Sequence, residues 1–120
     1  MDDSEKASST GEPGELPQSV VDAIKTANPN VELFKLVSEG GDVVVCKAVG
    51  REEWKRYRQN MVDPQKRARA FEELFLVHAV YPDRADLNAL LARKPGLSEA
   101  FGNELAEKAG LGQEVTTKKL

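Results

Sequence analysis

The sequence predicts an α+β fold: an N-terminal helix and a β-hairpin, followed by a bundle of about four short helices. Three observations carry this prediction. Two apolar, β-branched runs, Val31–Val37 and Val43–Val49, flank the pair Gly40-Gly41. Apolar residues recur at helical spacing from Leu16 to Ala27 and again between Arg51 and Leu105. Asp, Pro and Gly punctuate the second stretch at intervals that suit short helices.

Residues 1–16 are rich in Ser, Gly, Glu and Asp and hold almost no large apolar side chain. They bury too little to offset the entropy of ordering, so an acidic, disordered tail is expected. Val20, Val21, Ile24 and Ala27 then follow a helical period, Pro17 suits the first turn, and Asn28-Pro29-Asn30 stops the helix. In the hairpin, glycine supplies the positive φ that tight turns need. A lone hairpin is marginal in water, so the following helices are expected to cover one face.

Trp54, Tyr57 and Met61 form one apolar stripe in an otherwise basic helix over Arg51–Met61. Asp63-Pro64 reads as N-cap and first helical position of a long helix, Gln65–Val80. Ala68, Phe71, Leu74, Phe75, His78 and Tyr81 form its buried face. Pro82 ends it, because the residue before proline leaves the α region. Asp83 caps a helix buried through Leu87, Leu90 and Leu91, with Asp86 completing a carboxylate capping box, and Pro95-Gly96 closes it. Leu97, Phe101 and Leu105 mark the last helix. Gly110 sits at its left-handed cap, with Leu111 packing back on the last turn. Residues 17–111 are thus read as a single domain and 112–120 as a flexible C-terminal tail.

Charge is unevenly spread. The chain's net charge is -3, yet residues 1–16 carry five acids against one lysine, net -4. Residues 51–69 carry seven cations against three acids, net +4. Contacts between the two would be weakened by salt. The N-terminus is acidic and polar, unlike a signal peptide, and no apolar run approaches membrane-spanning length, so a cytoplasmic location and no membrane contact are expected. A single cysteine fits a reducing compartment and permits neither an intramolecular disulfide nor a cysteine zinc site.

Catalysis needs a constellation of groups, and this sequence lacks the parts. His78, the only histidine, lies on an apolar helix face, and Cys46 sits in a valine-rich strand. Packing roles suit both better than catalysis. Glu72 and Glu73 are adjacent and diverge on a helix; Asp83 and Asp86 are explained by capping. Gly40-Gly41 lacks the Lys-Ser/Thr and helix start of a phosphate loop. No enzyme activity, cofactor or metal is expected. The basic stretch, with Trp54 and Tyr57 interleaved, raises nucleic-acid binding as a rival. The core-facing spacing of those aromatics and the pI of about 5.3 weigh against it. The exposed contact surface expected here is the helix face of Arg51, Lys55 and Arg58.

The order of certain motifs resembles a family of small phage proteins encoded among tail genes, the tail assembly chaperones. The residues in question are Arg51-Glu52-Glu53-Trp54-Lys55-Arg56-Tyr57, Ala70-Phe71-Glu72-Glu73-Leu74, Val80-Tyr81-Pro82-Asp83 and Pro95–Leu105, closed by Ala109-Gly110. The likeness covers about two thirds of the chain, from Val31 to Leu111. It implies a non-enzymatic role in virion morphogenesis, in host cytoplasm: holding the long, helical tape-measure protein during tail assembly. A hydrophobic groove receiving amphipathic helices would be the means, with Trp54, Tyr57, Phe71, Phe75 and Tyr81 as candidate walls. The alternatives are a structural neck or tail component of the virion and a nucleic-acid-binding regulator using the basic helices 51–69. Self-association through the hairpin's exposed edge is a further expectation.

Overall fold

The computed structural model describes residues 15–120. The disorder expected for residues 1–16 therefore falls, up to residue 14, outside the described residues. The fold is α+β. Helix α1 (Gln18–Ala27) precedes an antiparallel hairpin of β1 (Leu33–Val37) and β2 (Val43–Lys47). Then come α2 (Arg51–Val62), a 3-10 turn (Arg67–Arg69), α3 (Ala70–His78), a third strand β3 (Ala79–Tyr81), α4 (Arg84–Arg93) and α5 (Leu97–Lys108). The sheet order is β1-β2-β3, all antiparallel.

The hairpin turn uses one glycine as expected. Gly41 has φ +89°, and the Gly41 and Ser38 N–H groups donate to Ser38 O and Asp42 O at 3.0 and 2.9 Å. This is a short loop closed by a left-handed residue. Pairing sets Phe34 opposite Cys46 and Leu36 opposite Val44, and these four face the helices. Leu33, Lys35 and Val45 lie on the opposite face, because side chains alternate along a strand.

The long helix expected over Gln65–Val80 is cut at both ends. At its start, the Asp63 carboxylate accepts from Gln65 N at 2.9 Å, and the Asp63 carbonyl accepts from Lys66 and Arg67 N. That local turn, followed by the 3-10 turn, delays the α-helix to Ala70 and leaves Ala68 exposed. At its end, Ala79-Val80-Tyr81 leave the helix and pair with β2, through Cys46 with Ala79 and Val45 with Tyr81. Pro82 already bars Tyr81 from the α region, and β2 offers the segment a ladder of hydrogen bonds instead.

Other punctuation behaves as expected. Asp83 Oδ1 accepts from Asp86 N at 2.9 Å, capping α4. Gly110 has φ +111°; its N–H donates to Glu107 O, and that of Leu111 to Ala106 O. Those two bonds define a Schellman end to α5. Leu111 nevertheless stays 43% exposed, so its packing back onto the helix is slight.

The core joins Leu36, Val44 and Cys46 of the sheet to Tyr57, Leu74, Phe75, Leu87, Leu90, Phe101 and Leu105 of the helices. The most extensive helix pairing is α3 on α5. Gly102 permits it: a Cβ there would collide with the carbonyl of Phe71. On the far side of the sheet, α1 contributes no buried residue. It leans over Leu33 and Val45, leaving an apolar hollow of about 210 Å³ beside Val21 and Ile24.

Candidate functional site

The two residues of greatest chemical potential are locked in the core. His78 is 3% exposed; its Nδ1–H donates to Leu74 O at 2.8 Å, and Nε2 has no hydrogen-bond partner among the described residues. Cys46 is fully buried, and burial pushes its thiol up to about 12, so it holds its proton at neutral pH. A solvent-borne substrate reaches neither. Among the described residues, no group of three or more His, Cys, Asp or Glu is placed to hold a metal.

The aromatics considered as groove walls are largely spent on the core. Tyr57 and Phe75 are buried. Trp54 tilts over Tyr57 at 5.0 Å between ring centroids, and Tyr57 over Phe71 at 5.6 Å. Burial also raises the Tyr57 phenol above its ordinary range. This stack anchors one side of α2 and thereby fixes which side faces water.

That outward side carries Arg51, Lys55 and Arg58, spaced four and three residues apart and all exposed. They surround a shallow depression of about 680 Å³ with Glu52, Gln59, the half-buried Trp54 and Val62, which is 72% exposed. Among the described residues, none of the three cations is held in an ion pair or hydrogen bond. The later basic residues differ. Arg67 Nε donates to Met61 O at 2.8 Å, and Arg69 sits 3.6 Å from Glu72. The basic stretch is thus two surfaces: a free row on α2 and a locally engaged cluster around the 3-10 turn. Charge counting along the sequence does not separate them, because Met61 O and Glu72 become neighbours only through the turn.

A second surface, not legible in the sequence motifs, is a cleft of about 730 Å³ between β1 and α5. The pair Lys94–Asp42, with Nζ 2.7 Å from Oδ2, closes one end. The hydrogen bond from Lys94, then that from Ser38, holds the Asp42 carboxyl below its ordinary range against the opposing effect of burial. Only the hairpin's free edge hinted at this cleft. Its other wall comes from a helix sixty residues further along the chain.

Among the described residues, no helix is long and apolar enough to cross a membrane. No protein-family model matches the chain, and no curated protein matches it. An uncharacterised protein from Bacillus stearothermophilus has a similar fold, with a TM-score of 0.67 at 17% identity over 82% of this chain and 99% of that one. At that identity the likeness extends to the fold alone.

Proposed function

We propose that this is a non-enzymatic phage morphogenesis protein: a tail assembly chaperone that holds the helical tape-measure protein in the host cytoplasm. The observation that carries the reading is the α2 face. Three unpaired cations there flank half-buried Trp54 and exposed Val62. A mixed cationic and apolar strip of this kind suits an amphipathic helix with acidic flanks. The family resemblance through Tyr81-Pro82-Asp83 and Pro95-Gly96-Leu97 supplies the identity of the client.

The test is co-expression with a tape-measure protein. Co-purification, or rescue of the client's solubility, is expected, and the triple variant R51E/K55E/R58E should abolish it. If the wild-type protein neither co-purifies with the client nor alters its solubility, the reading fails. Mass spectrometry of purified particles separates a chaperone, which is absent from them, from a structural neck or tail component. The same cations favour nucleic acid as a second reading, and a salt titration with single-stranded DNA tests it. Absence of binding at low salt ends that alternative.

A further inference from the structure

Among the described residues no strand pairs with the outer edge of β1, and that edge has a defined chemistry. Ala48 N–H donates to Glu32 O and Ser38 N–H to Asp42 O, so Glu32, Phe34, Leu36 and Ser38 point their backbone groups at β2. By alternation, Leu33, Lys35 and Val37 point theirs away from the sheet. Of these, Lys35 and Val37 border the cleft along α5, whereas Leu33 lies by the hollow under α1. Lys94 holds the hairpin turn just before α5 begins, and α5 then runs roughly 16 Å to Lys108. β1 runs toward the turn and α5 away from it. An edge strand flanked by a helix is the geometry that accepts an added strand.

We propose that residues 113–118 of a second copy of this chain add to β1 as a parallel strand in this cleft, linking copies head to tail. The segment suits a strand. Val115, Thr116 and Thr117 are consecutive β-branched residues, and neither Gly nor Pro occurs from 113 to 120. Its charges match the edge at equal spacing: Glu114 and Lys118 are four residues apart, as are Lys35 and Glu39. With Glu114 beside Lys35, Lys118 passes the end of β1 at Val37 and comes up to Glu39 in the hairpin turn. Val115 then lies opposite Leu36, facing inward over Phe101, and its N–H donates to Lys35 O. Val115 is 88% exposed within its own chain.

Two other occupants fit less well. Symmetric pairing of β1 with β1 would set Lys35 against Lys35, a repulsion that edge lysines commonly provide. The chain's own segment is turned elsewhere: Gly110 (φ +111°) and Gly112 (φ +78°) bend it, and Gln113 N–H donates to Gly110 O. Glu114 thereby shares a hollow with Glu107, about 100° around α5 from the cleft residue Lys108. The resulting contact joins two different surfaces and so extends into a chain or a ring. It does not depend on which client α2 holds.

Full-length Lys35→Cys and Glu114→Cys variants, mixed and oxidised, test this directly. Both sites are exposed, and Cys46 is buried and protonated. A disulfide-linked heterodimer is expected from the mixture and from neither variant alone. In sedimentation, Val115→Pro should weaken concentration-dependent association by about tenfold or more, since it removes one ladder donor. No heterodimer and a monomer at all concentrations would overturn the proposal. So would an intrachain disulfide in the doubly substituted protein at high dilution, which would place the segment on its own β1. Association that survives removal of residues 112–120 would overturn it as well.

Discussion

The two faces of the sheet share three strands but meet different surroundings. On the inner face Val44 and Cys46 are wholly buried in one core with residues of α2, α3, α4 and α5. On the outer face Val45 is buried, but Leu33 beside α1 is only half-buried and Val37 is 40% exposed. The difference separates a load shared by four helices from a loose cover supplied by one. Stability should therefore reside on the inner side, while the outer side and the β1 edge remain able to change partners.

The harshest way to break the inner side is to add volume where α3 meets α5. Gly102→Val should cost about 4 kcal/mol or prevent folding, because the new side chain meets the Phe71 carbonyl rather than a yielding side chain. Chemical denaturation, or the yield of folded protein, reads it. Next comes a direct contrast between the faces. Leu105→Ala, at a fully buried site, should cost about 3 kcal/mol, and Ile24→Ala on α1 less than about 1 kcal/mol. Equal losses in urea titrations would show that α1 belongs to the cooperative core.

A smaller effect comes from Cys46. Its folded pKa of about 12 lies above the ordinary 9.0, so the folded state binds the proton more tightly. The contribution is complete below pH 9 and is lost as pH rises toward 12, at about 1.4 kcal/mol per pH unit. Cys46→Ala should flatten the fall in stability over that range, and the native thiol should resist alkylation at pH 8. The least effect is expected at the hairpin turn. The Asp42 carboxyl is held below its ordinary 3.8, so its pair with Lys94 contributes above that pH and fades as pH falls. Asp42→Asn should lower the thermal midpoint slightly at pH 7 and leave it unchanged at pH 2.

Several elements were legible because their causes are local. The α2 stripe put Tyr57 in the core and so turned Arg51, Lys55 and Arg58 outward. Asp83 and Gly110 cap their helices through bonds that span three to five residues. The third strand was not legible. Ala79-Val80-Tyr81 continue the helical period of Phe71, Leu74, Phe75 and His78, and only β2 alongside makes a strand the better choice. The candidate surfaces divide in the same way: the α2 row follows from periodicity, whereas the β1–α5 cleft needs residues sixty positions apart.

The sequence by itself determined where most helices begin and end, the left-handed glycine of the hairpin turn, and the absence of a histidine or cysteine pair for chemistry. Capping, turn geometry and apolar periodicity act within a few residues and leave their mark on composition. The tertiary structure alone decided that, among the described residues, His78 Nε2 is buried without a partner and one edge of the sheet is unpaired beside α5, and that Gly102 is the contact point of two helices. Those features depend on which distant segments come to lie against one another, and so on packing across the whole chain rather than on any local run of residues.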